Sequence, residues 1–183
     1  MLENVNILLG VSGGVAAYKA VDLASKLTAA KARVRTVMTD NACQFVAPKS
    51  FEAVTGAPVF TTLWSASEEF QSAHISLADW AQIVVVAPAT ANIIGKVATG
   101  ICDDLLGTTL CVCWQKPMLF APAMNNRMWE NPTVQRNVET LKRAGVQMTG
   151  PNMGRLACRT EAVGRMAEPT EIIEAIEAIA AKS

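Results

Sequence analysis

Three mostly apolar runs constrain the fold of this chain more than any other feature of its sequence. They cover residues 5–11, 83–87 and 118–121, and each has the length of a β-strand. None alternates regularly between apolar and polar residues, and such continuous runs are typical of strands buried on both faces of a parallel sheet. Each run is followed by small or polar residues and then by a helical pattern. The sequence therefore predicts an α/β fold with a doubly wound parallel sheet in three α/β/α layers.

Apolar periodicity elsewhere predicts the remaining elements. The predicted helices cover residues 15–30, a segment through about residue 98, 105–112, 132–144 and a closing segment from about residue 170. The other predicted strands are 33–38 and 146–148. Pro88 and Pro122 are expected to end their strands, because proline cannot donate to a sheet ladder. Residues 48–72 predict short helices and loops. Residues 150–166 form a cationic, aperiodic segment that predicts a long loop, either functional or disordered.

The overall composition favours one domain, residues 1–183, that assembles with copies of itself. Hydrophobic residues make up 51% of the chain and charged residues 17%, and the mean hydropathy is +0.25. These values are high for a small soluble monomer, so we expect a homo-oligomer that buries apolar surface between subunits. The 16 basic and 16 acidic side chains give no net charge and form no basic block, which argues against nucleic acid as a partner.

The sequence also favours a cytoplasmic protein without a metal site. No apolar run reaches the roughly 18 residues of a membrane span, and residues 1–4 lack the basic leader of a signal peptide. Five cysteines without an export signal are expected to be reduced thiols. Cys111 and Cys113 form a C-x-C pair, but the single histidine and the lack of a C-x-x-C pair argue against zinc.

A glycine turn after the first strand predicts a phosphate site. Ser12, Gly13 and Gly14 separate the strand from the next helix, whose N-terminus offers free N–H groups and a positive dipole end. The turn matches neither G-x-G-x-x-G nor a Walker A loop, so a mononucleotide phosphate fits better than NAD or ATP. Thr39, at the end of the second strand, is a further candidate phosphate ligand. The alternatives are a tight turn without a ligand, and Thr39 as the cap of a helix begun by Ala42.

Polar and polarizable residues also follow the other two apolar runs. Thr90 and Asn92 come after residues 83–87, and Met124 and Asn125 come after residues 118–121. In open α/β sheets ligands bind at the carboxyl ends of the strands. The convergence of several such ends on one edge predicts a site there. From position alone, an ordinary loop with Met124 in the core is an equal alternative.

His74 is the only histidine, and its role is left open by the residues alone. A lone histidine is more often a structural hydrogen-bonding residue than a catalyst, but it is the side chain whose unperturbed pKa lies near neutrality.

Taken together, these segments resemble the homo-oligomeric flavin-containing cysteine decarboxylases. The matching motifs are SGGVAAYK at 12–19, His-Ile-x-Leu at 74–77, APATANIIGK at 87–96, PAMNNRMW at 122–129 and RLAC…GRM at 155–166. They keep the family's order and span most of the chain. The P-x-M-N-x-x-M-W pattern is highly specific, whereas the glycine turn alone would be a weak signal.

The resemblance implies a flavodoxin-like fold that binds FMN at a trimer contact, in a homotrimer or a dodecamer of trimers. The phosphate is expected on the glycine turn and Thr39, and the flavin on the segments after the other two strands. The implied cofactor-binding residues are Ser12, Gly13, Gly14, Val15, Thr39, Thr90, Ala91, Asn92, Ile93, Ala123 and Met124.

The resemblance also implies a reaction. The expected activity is decarboxylation of 4′-phosphopantothenoylcysteine to 4′-phosphopantetheine in coenzyme A biosynthesis, by transient thiol oxidation, CO2 loss and re-reduction of the enethiol. His74 would position the substrate and assist proton movement, and Cys158 would donate the final proton. The implied substrate-binding residues are Asn125, Arg155, Ala157 and Met166, with residues 150–166 closing over the substrate as a clamp.

Some features depart from the family pattern. Arg159 stands where glycine is frequent, and Ala162 and Val163 stand where glycine and proline are common, which affects the expected substrate detail more than the reaction. Many bacterial relatives continue into a ligase domain, so the chain is either a stand-alone enzyme or a domain of such a fusion. The alternative functions are a peptidyl-cysteine decarboxylase, a non-catalytic flavin-binding regulatory subunit and a prenyltransferase; the motifs around Asn125 and Cys158 argue against the last.

Overall fold

A six-stranded parallel sheet forms the centre of the molecule. The computed structural model describes residues 2–64, 72–157 and 159–182. The strands are β1 Asn6–Val11, β2 Arg33–Met38, β3 Val59–Phe60, β4 Ile83–Ala89, β5 Met118–Pro122 and β6 Gln147–Met148. They are ordered β3-β2-β1-β4-β5-β6 and every neighbouring pair is parallel. The strand order reverses between β1 and β4, so the doubly wound sheet predicted from the sequence is confirmed.

Helices cover both faces of the sheet. Their bounds are α1 Ala17–Ala29, α2 Asp40–Cys43, α3 Pro48–Thr55, α4 Ala73–Trp80, α5 Ala91–Thr99, α6 Leu105–Val112, α7 Asn126–Trp129, α8 Pro132–Arg143 and α9 Pro169–Ala180. One apolar core lies between the sheet and α1, α3 and α9, and a second lies between the sheet and α4, α5, α6 and α8. The three layers follow from strands that are apolar on both faces.

The periodic segments form the elements that their apolar spacing predicts. The α1 face of Ala20, Leu23 and Leu27 is fully buried against the sheet. Helix α8 begins at Asn131, whose side chain accepts from Thr133 N at 2.8 Å, and Gly145 follows its end with φ +92°. A glycine tolerates this left-handed conformation, which explains why the helix stops there.

Strand β4 continues through Pro88 to Ala89, so the prediction that it ends at Pro88 is wrong. The Pro88 carbonyl accepts from Ser12 N at 3.4 Å and from Ser12 Oγ at 2.7 Å. These bonds tie the end of β4 to β1 although the proline nitrogen donates nothing. Weak patterning in residues 48–72 also concealed the edge strand β3, whose two residues are too short to show a period.

Two strands within residues 150–166 pair as a β-hairpin, so the prediction of an aperiodic loop there is wrong. Strands β7 Asn152–Arg155 and β8 Glu161–Arg165 pair antiparallel. Each strand is short and carries a glycine. In β7 the partly buried positions are Asn152 and Gly154 whereas Met153 is exposed, so no apolar alternation marks the hairpin in the sequence. Ala162 and Val163, the two departures from the family pattern, lie in β8.

The described residues include neither a candidate membrane-spanning helix nor a candidate metal cluster. None of their helices is both long and apolar enough to cross a bilayer. The same residues contain no cluster of three or more side chains able to hold a metal ion. Cys43, Cys102, Cys111 and Cys113 are free thiols, as predicted, whereas Cys158 lies outside the described residues.

The buried thiol of Cys113 makes the fold sensitive to alkaline pH. Cys113 lies in the second core, where burial raises the pKa of its thiol from 9.0 to about 11. Because the folded protein holds this proton more tightly, its stabilising effect is complete below pH 9.0 and is lost as the pH rises through about 11. We predict that wild type loses roughly 3 kcal/mol of unfolding free energy over this interval through Cys113.

Urea unfolding between neutral pH and pH 11 measures this loss. Cys113→Ala should remove that part of the pH profile, whereas Cys111→Ala, which changes an exposed thiol, should leave it in place. Parallel profiles for wild type and Cys113→Ala would contradict the prediction.

Candidate functional site

A cavity of about 830 Å³ lies at the carboxyl edge of the sheet, beside the switch point between β1 and β4. Its volume is typical of sites for small molecules. The turns after β1, β4 and β5 form its wall, together with the β7–β8 hairpin. The predicted site residues that the structure brings together here are Gly13, Gly14, Val15, Thr90, Asn92, Ala123, Met124, Asn125, Arg155, Ala157 and Met166.

The glycine turn is packed too closely for any side chain at Gly13. A Cβ there would lie 2.4 Å from Asn41 Cβ and 2.8 Å from the Asn41 carbonyl carbon. A Cβ on Gly14 would lie 3.3 Å from Thr90 Cγ2. No side chain caps the N-terminus of α1 at Ala16. Ala17 N and Lys19 N donate to Gly14 O and Ala16 O within the first turn, and the positive end of the helix dipole faces the glycine turn and favours an anionic group there. The turn therefore suits a bound phosphate.

Ser12 lies behind the wall of the cavity rather than on it. Its side chain is buried, its Oγ donates to Pro88 O at 2.7 Å, and it accepts from Thr90 N at 3.0 Å. The hydroxyl oxygens of Ser12 and Thr90 are 3.0 Å apart. Ser12 thus links β1 to β4 and fixes the position of Thr90, which does line the cavity.

Three other predicted cofactor residues are not among the cavity-lining residues. Thr39 caps α2, where its Oγ1 accepts from Ala42 N at 3.2 Å, so the helix-cap alternative is confirmed with a start at Asp40. Ile93 is fully buried in the second core, and Ala91 is the first residue of α5. Their cofactor roles stay predictions.

The turn after β5 is fixed by hydrogen bonds from both of its sides. Ala123 N donates to Ala89 O at 3.1 Å, which holds the turn against the end of β4. Asn125 begins α7, and its Oδ1 accepts from Arg127 N at 2.9 Å. This cap sets the side-chain orientation of Asn125 at the cavity wall.

The β7–β8 hairpin docks on this turn through Gly164. Met124 N donates to Gly164 O at 3.0 Å. A Cβ on Gly164 would lie 2.2 Å from Met124 O, and its φ of +148° is strained for other residues. The close approach makes the hairpin one wall of the cavity, with Arg155, Ala157 and Met166 on it. Cys158, predicted to be catalytic, lies outside the described residues.

The structure adds site residues that the sequence alone did not identify. Tyr18, Lys19, Met128, Leu156, Arg159, Gly164 and Arg165 also line the cavity. Lys19 could have been identified from the sequence. A cation in the first turn of a helix is disfavoured by the helix dipole, so its presence there indicates a functional role. Tyr18 lies beside Lys19 on α1. The others lie on the β7–β8 hairpin and on the short helix α7, whose placement depends on distant residues.

The charges at the cavity are mostly positive. Among the residues that the structure describes, its lining includes Lys19, Arg155, Arg159 and Arg165 and no acidic residue. Glu168 lies just behind, with Oε1 2.8 Å from Lys19 Nζ and 3.2 Å from Arg165 Nη1. The hydrogen bond from Lys19 holds the pKa of Glu168 below its usual range. The net excess of positive charge favours an anionic ligand.

His74 lies at the same edge of the sheet as the cavity but outside its lining. It is half-buried in the first turn of α4. Just beyond the end of α4, Gln82 N donates to Asn6 O at 2.9 Å, at the amino edge of the sheet. The helix therefore begins at the carboxyl edge, and a single chain does not bring His74 into the cavity.

Comparison with known proteins identifies relatives over nearly the whole chain. The model of the Flavoprotein family matches residues 1–181. The coenzyme A biosynthesis bifunctional protein CoaBC of Bacillus subtilis (strain 168) is 46% identical over 177 residues, which are 97% of this chain and 43% of that protein. The chain thus spans less than half the length of this curated relative.

Solved structures share both the fold and the length of the chain. A mutant PPC decarboxylase complexed with pantothenoylaminoethenethiol superposes with a TM-score of 0.87 and 34% identity, covering 97% of this chain and 98% of that one. The FMN-dependent cysteine decarboxylase SpaF gives a TM-score of 0.80 with 35% identity, covering 96% of this chain and 99% of that one.

The packing of the glycine turn leads to a stability prediction. Gly13→Ala should lower the free energy of unfolding by about 1–3 kcal/mol, because the new methyl group overlaps the backbone of Asn41. Gly95→Ala is the matched control, since Gly95 lies within α5 and its Cβ would be 3.6 Å from Asn137 Nδ2. The control should be neutral or stabilising by up to ~1 kcal/mol. Urea denaturation compares the two, and equal effects would contradict the prediction.

Proposed function

The chain belongs to the flavoprotein family, and on this premise we propose that it decarboxylates 4′-phosphopantothenoylcysteine to 4′-phosphopantetheine, as an FMN-dependent carboxy-lyase of coenzyme A biosynthesis. The observation that carries the proposal is the cationic cavity at the β1–β4 switch point. The substrate bears a phosphate and a carboxylate, which match this charge. The similarity to PPC decarboxylase covers 98% of that chain. This supports assigning decarboxylation to the part of the longer relatives that this chain matches.

The residues at the cavity fit FMN. The close-packed glycine turn leaves the N-terminus of α1 uncapped for the phosphate. Thr90, Asn92, Ala123 and Met124 offer small, polar and polarizable groups on the adjoining wall for the flavin ring. When bound, FMN supplies reversible two-electron oxidation of the substrate thiol, which places a C=S bond β to the carboxylate so that CO2 can leave.

The chain's own residues bind the substrate and exclude water. Asn125, oriented by its cap on α7, hydrogen-bonds the carboxylate of the substrate. Arg155, Ala157 and Met166 hold the substrate along the hairpin wall. Because Gly164 fixes the hairpin against the turn after β5, this wall shields the reacting atoms from solvent.

Two residues take part in proton transfer in this proposal. His74 positions the substrate and assists proton movement. Cys158 donates the final proton to the carbon of the enethiol as that intermediate is reduced. Both roles rest on the resemblance to the cysteine decarboxylases.

A homo-oligomer, a trimer or a dodecamer of trimers, is part of the proposal. The observation that supports it is the position of His74, at the carboxyl edge of the sheet but outside the cavity of its own chain. In a cyclic assembly, a second copy can bring its His74 to this cavity, so that each site is completed between two subunits.

The first functional prediction concerns product formation. Purified protein should be yellow and should release CO2 from 4′-phosphopantothenoylcysteine to give 4′-phosphopantetheine, as measured by mass spectrometry. Cys158→Ser should still release CO2 but should accumulate the oxidised enethiol, because the last proton donor is missing. Cys111→Ser is the matched control, since this exposed thiol lies on α6 away from the cavity, and it should form the normal product.

Three outcomes decide between the candidate functions. A colourless, inactive protein after reconstitution with FMN would overturn the proposal. Turnover of a peptide ending in cysteine, without turnover of the phosphopantothenoyl substrate, would instead support a peptidyl-cysteine decarboxylase, the second candidate favoured by the likeness to SpaF. A yellow protein that turns over neither substrate would support the regulatory alternative.

The second functional prediction tests whether His74 acts between subunits. His74→Asn and Asn125→Asp should each be inactive alone. Equal co-expression of both chains should restore about one quarter of the sites, since random assembly pairs an intact His74 with an intact Asn125 at that frequency. Differently tagged chains verify that mixed oligomers form. Mixed oligomers without activity would show that each site uses the His74 of its own chain.

A further inference from the structure

Glu168 joins two parts of the chain at the wall of the cavity. It is the N-cap residue of α9, and its Oε1 lies 2.8 Å from Nζ of Lys19, in the first turn of α1. The two residues are 149 positions apart in sequence. Ile172 and Ile176 of α9 are fully buried in the same core as α1. This packing holds the two helix N-termini side by side.

Lys19 occupies a position that disfavours a cation. Only 13% of its side chain is exposed, and it sits at the positive end of the α1 dipole. Burial and the dipole both act against an ammonium group there. The negative charge of the Glu168 carboxylate offsets both effects on Lys19. This carboxylate is itself favourably placed at the N-terminus of α9. A charged residue kept at a position where burial and the helix dipole both disfavour its charge indicates a functional role.

The contact leaves most of the hydrogen-bonding capacity of Lys19 for a ligand. An ammonium group has three N–H donors, and Glu168 is the one partner of Lys19 Nζ among residues 2–64, 72–157 and 159–182. Arg165 shares the same Glu168 oxygen at 3.2 Å, and its buried Nε has no partner within the described structure. Both cations line the cavity.

We infer that Glu168 is a positioning residue, which holds the Lys19 ammonium at the cavity wall so that it binds an anionic oxygen group of the substrate. The inference rests on the proposed function and extends it to a residue outside the lining. Glu168 touches neither substrate nor cofactor in this assignment and acts through Lys19. The anionic group is the phosphate or the carboxylate of the substrate, which share the same hydrogen-bonding chemistry.

Glu168→Gln tests the inference, because it keeps the shape of the side chain and removes its charge. We expect KM for the thiol substrate to rise by about tenfold, as for loss of a charge-assisted contact, with kcat within about twofold of wild type. Glu171→Gln is the matched control, since it removes a charge from the same helix turn but contacts Glu168 N and Asn152 instead of Lys19. If Glu168 had only a structural role, Glu168→Gln would lower the melting temperature and the flavin content without this change in KM.

A double-mutant cycle tests whether Glu168 acts through Lys19. Lys19→Met should raise KM by itself, and adding Glu168→Gln should then change KM by less than about twofold. Independent, multiplicative effects of the two substitutions would overturn the inference. So would a KM for Glu168→Gln equal to that of wild type.

Substrate variation identifies the anionic group. If the group is the phosphate, Glu168→Gln raises KM for the phosphorylated thiol and leaves KM for its dephosphorylated form unchanged. If it is the carboxylate, KM rises equally for both. Wild-type turnover, measured first, distinguishes a failure of the proposed function from a failure of this inference. An inactive wild type overturns the proposed function, whereas an active wild type with an unaffected Glu168→Gln variant overturns this inference alone.

Discussion

The joining of β1 to β4 at their carboxyl ends is the constraint on which the site depends. At this point the strand order reverses, and the Ser12 hydroxyl connects the two strand ends by donating to Pro88 O and accepting from Thr90 N. The bonds are buried, so breaking them would leave polar groups unsatisfied in the interior. They set the separation of the glycine turn and the turn after β4, and this separation shapes the cavity.

The β7–β8 hairpin closes the cavity because its backbone packs closely against the backbone of the turn after β5. Gly164 lies against Met124 O with no room for a Cβ, and Met124 N donates to its carbonyl. The same turn after β5 thus places Asn125 at the cavity and supports the hairpin wall of the cavity. This coupling explains why a surface hairpin with one exposed face keeps a fixed position over the sheet edge.

Electrostatics then determine which molecules the cavity accepts. Four cationic side chains face the cavity, and two of them share the carboxylate of Glu168 behind the wall. This arrangement keeps a net positive charge for an anionic ligand while it stabilises a lysine at an unfavourable helix end. Family membership and the fit of the glycine turn to a phosphate both indicate a flavin nucleotide, and the positive charge of the cavity matches the anionic groups of the proposed substrate.

The sequence by itself determined the parallel sheet, most helices and the edge at which the site lies. These features follow from apolar runs, helical spacing and the glycine turn, which are local patterns. Tertiary structure alone decided the pairing of the hairpin, the burial of Ser12, the absence of His74 from the cavity of its own chain and the contact of Lys19 with Glu168, 149 positions away. Each of these depends on the packing of distant segments, and local periodicity carries no information about which distant residues meet.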